Sequence, residues 1–332
     1  MLGINVRLNP RPTDIAFAYF HPLSRPNIQP DPNEITPQPP LQVSGEAVLR
    51  FGFLEGDAVV DAHRAVYDPQ TWRTPVPFHK NGSVARELAI VLNELELRSA
   101  TGIEDLNLAA LYLMENQDAS VVVAKRGVRG AMVFERGYEA AHIPAYRSSR
   151  VFKIGTGDVF SAIFAHCWAE KRLPAKKAAN EASRSVAAYC GSGQLPLEDD
   201  ELRDLVPLKS SDLGVVALEG SVGTIGQRYT MEEARFLLRE LGVDVTCQVL
   251  GARSREPAAS VLILADGLRE GVAELAQAAK ASGASVVVLR EECSYPACLS
   301  SIEADIVVTD DFVSALYFAA WATVNGPGIE SK

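Results

Sequence analysis

Four short apolar runs constrain this chain most: VVAL (215–218), VLIL (261–264), VVVL (286–289) and IVV (306–308). Each is followed by small or acidic residues, and segments with helical spacing of apolar residues lie between them, TMEEARFLLRELG and EGVAELAQAAKASG among them. Strands alternating with helices in this way predict a small doubly wound parallel sheet, whose ligands bind at the carboxyl ends of the strands. Thr230 with Glu233 fits a capping box for the first of these helices, and Gly242 fits its C-terminal stop. DVTCQVLG is a candidate strand, and DFVSALYFAAWATVNG reads as the closing helix. No internal repeat is present.

The upstream half also alternates. Residues 1–45 are rich in proline, which disfavours helix and central strand, so they read as an extended arm or edge segment. From Glu46 onward, AVLRFGF and AVYDPQ read as short buried strands, and SVARELAIVLNELELRSATG as a helix, or a helix followed by a strand end. Ile103 to Gln117 has helical spacing. Ser120–Lys125 is a strand, Gly127–Gly130 a turn, and AMVFE the returning strand of a hairpin. Thr156–Lys171 and Ala175–Cys190 read as helices separated by Leu173-Pro174, and PLEDDELRDLVPLKSSD as an acidic linker. The expected organisation is an arm (1–45), an α/β domain (46–205) and a smaller α/β domain (210–325). A chain of 332 residues is consistent with two domains of roughly 100–200 residues each.

Charge removes several function classes. Lys plus Arg is 32 and Asp plus Glu is 42, a net charge of −10, which argues against a general nucleic-acid binder. No apolar run approaches a membrane span, and the N-terminal residues lack the apolar core of a signal peptide. A cytoplasmic protein, forming a homo-oligomer, is expected. Cys167, Cys190, Cys247, Cys293 and Cys298 are scattered, with no CxxC pair, and read as thiols in a reducing compartment. His21, His63, His79, His142 and His166 show no metal-ligand spacing, and His166 reads as a packing residue. Lys171, Arg172, Lys176 and Lys177 read as a solvated face. No G-x-S-x-G elbow is present to support serine hydrolase chemistry.

The chemistry-bearing segment is Gly155-Thr156-Gly157-Asp158, at the start of a helix. Two glycines let a ligand approach the backbone, and the first-turn N–H groups suit an anion. Asp158 can accept a proton from a hydroxyl attacking a γ-phosphate, although an Asp near a helix start is more often a cap. From about Phe51 to Leu197 the chain resembles the PfkB-type (ribokinase-like) carbohydrate kinase family. GTGDVFSAIFAH carries the resemblance, with VLNELELRSATG, VVVAKRGVRGAMVF, AANEASRSVAAYCGSG and VYDPQ in the family's order. The resemblance implies a ribokinase-like layered sheet and an ATP- and Mg²⁺-dependent kinase of a sugar or nucleoside. It makes Asp158 the catalytic base and Gly155, Thr156 and Gly157 the anion hole. It places Asn93, Glu96, Lys125, Gly127, Gly130 and Asn180 around the cofactor, with Glu96 meeting Mg²⁺ through water. The anion hole begins at residue 155 and the first 45 residues hold no Gly-Gly pair, so the family's N-terminal half is read as shortened.

From about Val215 to Trp321 the chain resembles the nucleoside 2-deoxyribosyltransferase-like family. The matching pieces are the Gly220–Arg228 turn, Asp266-Gly267, Gly271 with Glu274, and DDFVSALYFAAW. The resemblance implies that Asp266 holds a sugar and Glu274 attacks its anomeric carbon. Glu274 lies one residue closer to the glycine than the family spacing, about 100° of helix rotation. Gly220, Asp266 and Asp310 follow strands and are expected to share a nucleoside-binding pocket. Three readings stand: an ATP-dependent phosphotransferase, a nucleotide-binding regulatory protein without turnover, and an N-glycosyl transferase or hydrolase.

Overall fold

The computed structural model describes residues 5–6, 8, 10–70, 75–210, 212–268, 271–291 and 306–325. The Pro-rich arm contains a two-stranded antiparallel ribbon, β1 (Ala16–Ala18) and β2 (Asn27–Gln29). Six strands then form one sheet in chain order: β3 (Leu41–Phe51), β4 (Ala58–Asp68), β5 (Val84–Asn93), β6 (Val121–Lys125), β7 (Ala131–Glu135) and β8 (Ala141–Ile143). β3 to β6 are parallel, and β6, β7 and β8 pair antiparallel, which makes the expected hairpin. Helices cover both faces. α1 (Glu94–Thr101) and α2 (Leu106–Asn116) bury Leu97, Ala109, Ala110 and Leu113 against one face. α3 (Thr156–Ala165) and α4 (Ala175–Ser192) bury Phe160, Phe164, Ala178 and Ala179 against the other.

Two expectations for this half need correction. SVARELAIVLN is a strand, and the helix follows it. Along β5, Leu88, Ile90 and Leu92 enter one core while Ala89 and Val91 enter the other. A strand buried on both faces reads as a continuous apolar run, which hides its period of two. The second correction concerns β3, which begins at Leu41, inside the expected arm. It spans eleven residues, with Gln42 to Ala47 exposed at the outer edge, and is not a short buried strand.

The second sheet has β9 (Val215–Gly220), β10 (Asp244–Thr246), β11 (Ala258–Leu264), β12 (Ser285–Leu289) and β13 (Val307–Thr309), all parallel, ordered β10-β9-β11-β12-β13. The order reverses between β9 and β11, which opens a crevice at their carboxyl ends. α5 (Asp199–Arg203) lies in the segment read as a linker, and a β-bridge joins Pro207 of that segment to Tyr146. α6 (Ile225–Glu240) and α8 (Phe312–Asn325) cover the face bearing Val216, Leu218 and Leu262, and α7 (Gly271–Ala281) covers the face bearing Val261 and Ile263. The expected capping box is displaced. Thr224, not Thr230, caps α6, and its box partner is Gln227. Thr230 lies inside the helix and donates to Gly226 O, while Glu233 meets His21 Nε2 at 3.0 Å.

One apolar core joins the two sheets. Val128, Ala145 and Val151 of the first half pack with Leu237, Leu316 and Trp321 of the second. Trp321 Nε1 donates to Val128 O at 3.3 Å, and Val151 N donates to Ser314 Oγ at 2.8 Å. α8 is apolar all round because it has neighbours all round. Among the described residues, no helix is long and apolar enough to cross a membrane.

Candidate functional site

Parallel pairing brings the carboxyl ends of β4, β5 and β6 together, and they carry Asp68, Asn93 and Lys125. Asn93 is Lys125's register partner. Asn93 also caps α1: its Oδ1 accepts from Glu96 N at 2.8 Å, and Glu96 Oε2 accepts from Asn93 N at 2.8 Å. This reciprocal box pins Glu96 to the sheet edge. Across from it, Gly155 turns the chain into α3 with φ +81°, a conformation that suits glycine. The first turn of α3 offers backbone N–H groups that the helix itself leaves free, with Thr156, Gly157 and Asp158 around them.

A cavity of about 540 Å³ lies between these groups. Asn93, Glu96, Lys125, Gly127 and Gly130 line it together with Gly155, Thr156, Gly157 and Asp158, so the structure brings nearly all of the sequence-derived set to one place. Asn180 stands behind the wall, where its Oδ1 accepts from the hydroxyl of Tyr146, a lining residue, at 2.8 Å. The volume falls in the range of small-ligand sites.

The cavity holds three carboxylates around one lysine. Asp68 is 1% exposed and accepts from Lys125 Nζ at 2.8 Å and from Ser161 Oγ at 2.5 Å. Burial raises the Asp158 pKa and neighbouring Asp68 raises it further, opposed by Lys125 and by a hydrogen bond from Gln70 Nε2 at 3.0 Å. Glu96 is raised by burial first and by Asp68 last, with Lys125 and the Asn93 backbone opposing. Asp68 thus raises the pKa of both Asp158 and Glu96, and added positive charge between these carboxylates would ease that repulsion. Among the described residues no three such side chains are placed to hold a metal directly. Glu96 and Asp68 are the lining carboxylates through which a hydrated divalent cation could be met.

Among the lining residues that escaped the sequence reading are Asp68, Gln70, Lys153 and Tyr317. The signal for Asp68 was there, an acidic residue closing an apolar strand in VYDPQ. Nothing local marks Tyr317, on α8 of the other sheet.

The C-terminal candidates do not converge. Asp266 lines a crevice of about 150 Å³ at the β9/β11 switch point, with Gln227 and Glu291. Glu274 is exposed on α7 outside that crevice, and Asp310 lines a different one with Arg150 and Arg290. Gly220 packs tightly, since a Cβ there would fall 2.4 Å from Met231 Sδ. The expected pairing of Asp266 with Glu274 in one pocket is thus not found. Gln227 Oε1 accepts from Ser221 Oγ and Thr224 N, which fixes its side chain in the crevice.

Cys167, Cys190 and Cys247 are buried free thiols, and Cys293 and Cys298 lie outside the described residues. His166 is exposed and pairs with Glu170 at 2.7 Å, so it is not the packing residue expected. Lys171, Arg172, Lys176 and Lys177 are exposed, as expected.

Residues 86–195 match the family model described as pfkB family carbohydrate kinase. No curated protein matches the chain. Among solved structures, it is similar to ribokinase of Arabidopsis thaliana complexed with ribose and ATP, at 19% identity over 38% of this chain and 41% of that one, TM-score 0.33. It is similar to ribokinase of Thermotoga maritima at 19% identity over 44% and 48%, TM-score 0.32. A pyrophosphate-dependent kinase in the ribokinase family, complexed with a pyrophosphate analog and myo-inositol, matches at 17% identity over 48% and 63%, TM-score 0.33. The chain therefore spans 41–63% of the length of these structures.

Proposed function

We propose that the first-sheet cavity is the active site of an ATP-dependent phosphotransferase acting on a hydroxyl of a sugar, nucleoside or related compound. The observation that carries this reading is Asp158: a carboxylate with a raised pKa, in the first turn of α3, beside the Gly155–Gly157 backbone and within the field of Lys125. The match of residues 86–195 to the carbohydrate kinase family supports it.

The acceptor hydroxyl displaces Gln70 from Asp158 and gives its proton to the carboxylate as its oxygen bonds to the γ-phosphorus. The bond from that phosphorus to the bridging oxygen breaks, and ADP leaves with the electron pair. The N–H groups at Gly157 and Asp158 face the charge on the transferring group. Mg²⁺ would neutralise phosphate charge when held through water by Glu96 and Asp68.

The test is a coupled ADP-release assay across hydroxyl acceptors, with Asp158→Asn as control. A general base contributes typically 10²–10⁴-fold to rate. The variant should lose that much turnover and keep its affinity for ATP. ATP at about 100 times its Kd should also stabilise the wild type by about 2.7 kcal/mol. If no nucleotide stabilises the folded protein, the reading fails.

A further inference from the structure

Lys125 has a carboxylate partner, and Lys153 has none among the described residues. Among the described residues Lys153 makes no ion pair. Its ammonium donates to Thr156 Oγ1 at 3.2 Å, at the anion hole, and lies 5.9 Å from the centroid of the Tyr317 ring. Tyr317 is 4% exposed, and its hydroxyl, without a hydrogen bond of full geometry, lies close enough to the Lys153 ammonium to raise its pKa, while the buried Ser148 Oγ has no hydrogen-bond partner. All four residues line the same cavity. An ammonium without a carboxylate counter-ion among the described residues, in one cavity with the under-used hydroxyls of Tyr317 and Ser148, is a costly arrangement for an interior surface. It becomes favourable once an anion with several acceptor oxygens enters.

We propose that Lys153 and Tyr317 bind the phosphate groups of the donor that are not transferred, with Ser148 as a further hydroxyl donor. The proposal rests on the phosphotransferase reading and deepens it. The transferred phosphate lies at Gly157 and Asp158. Thr156 is shared between that position and Lys153, so the adjoining phosphates of the same donor fall to Lys153 and Tyr317. Lys153 precedes α3 on the first sheet's side, while Tyr317 sits on α8 of the second sheet. The donor site is therefore built by both sheets, and the second sheet is part of the active site. Val151, Leu241 and Trp321 supply apolar wall beside this subsite, which suits the rest of a nucleotide.

Calorimetric titration of the full chain with ADP, pyrophosphate and adenosine, each with Mg²⁺, tests the idea in wild type, Lys153→Met and Tyr317→Phe. Lys153→Met should weaken ADP and pyrophosphate about 10- to 100-fold, an effect that shrinks with added salt. Tyr317→Phe keeps the ring packed edge-on against Trp321 and should weaken the same two ligands several-fold. Adenosine binding should be unchanged in both, which a merely structural effect would not spare. Equal ADP affinity in all three proteins overturns the proposal. Weakening by Lys153→Met alone overturns the part assigned to the second sheet. If the wild type binds neither ADP nor pyrophosphate, it is the phosphotransferase reading that has failed. Thermal melting checks folding. If Tyr317→Phe does not fold, Ser148→Ala reads the hydroxyl side of the subsite, and unchanged ADP affinity there counts against it.

Discussion

Lys125 Nζ lies 2.8 Å from Asp68 Oδ2, although the two residues end β6 and β4 and β5 runs between them. The ion pair spans the carboxyl edge of the sheet, over the strand that ends in Asn93. It fixes the lysine among Asp68, Glu96 and Asp158, and it compensates a carboxylate that is 1% exposed.

Removing the lysine should therefore cost more than a surface ion pair would. Deleting one partner of a buried pair typically costs about 3–5 kcal/mol, because the other charge stays buried and uncompensated. Lys125→Met is expected to destabilise by about that much at neutral pH. The double variant with Asp68→Asn should recover part of the loss. Urea midpoints of the two single variants and the double variant decide the point. A double variant no more stable than Lys125→Met would mean that the pair's charge is not what matters.

A second expectation concerns pH. Asp158 must be ionised to act as a base, so rate falls as pH drops through its pKa. Burial and Asp68 hold that pKa above the ordinary aspartate value of about 3.9. The hydrogen bond from Gln70 acts in the opposite direction. Gln70→Leu should move the acid limb of kcat/KM to higher pH. An unmoved or lowered midpoint would show that Gln70 does not tune the base.

Much of this site was legible because its parts are local in sequence. Gly155 to Asp158 form a turn and a helix start in four consecutive residues, and Asn93 with Glu96 form a capping box at fixed spacing. The helix misreading of β5 has a physical source. Arg86, Glu87, Leu88 and Ala89 favour helix by intrinsic propensity, and burial on both faces removes the alternation that marks a strand. The pairing of Asp68 with Lys125, and the place of Tyr317 in the cavity, could not be read from local pattern. Asp68 reaches Lys125 across an intervening strand, and Tyr317 reaches Lys153 only through the packing of α8 between the two sheets.

Two cavity glycines should respond differently to alanine. At Gly130, φ is +79° and a Cβ would fall 2.1 Å from Ile143 O and 2.6 Å from Ala145 N, both backbone atoms. At Gly155, φ is +81° and the nearest atom is Tyr189 Oη at 2.9 Å, the far end of a side chain. Left-handed backbone alone costs a non-glycine residue about 1–2 kcal/mol. Gly155→Ala should lose about that much, and Gly130→Ala clearly more, because the β7–β8 pairing must shift. Melting temperatures of the two variants settle the order. The reverse order would mean that Tyr189 is less free to move than its position on the half-buried face of α4 implies.

Glu96 ties stability to pH. Its pKa in the folded protein is raised by burial first, with Lys125 and the capping bond opposing and Asp68 adding. The folded state thus holds the Glu96 proton more tightly than the unfolded chain does. Between the ordinary glutamate value of about 4.3 and the raised one, the folded state binds more protons, so stability falls as pH rises through that window. Above it the penalty is fully present. Gln at this position keeps an oxygen for the Asn93 N–H, so the capping box survives, but the charge is gone. Glu96→Gln should therefore be more stable than wild type at pH 8, and the gain should disappear by about pH 3, where the wild-type carboxyl is protonated in both states. Denaturation midpoints of the two proteins at both pH values test this. A variant less stable than wild type at pH 8 would show that the ionised Glu96 is held favourably, by the Lys125 field and the Asn93 N–H, rather than tolerated at a cost.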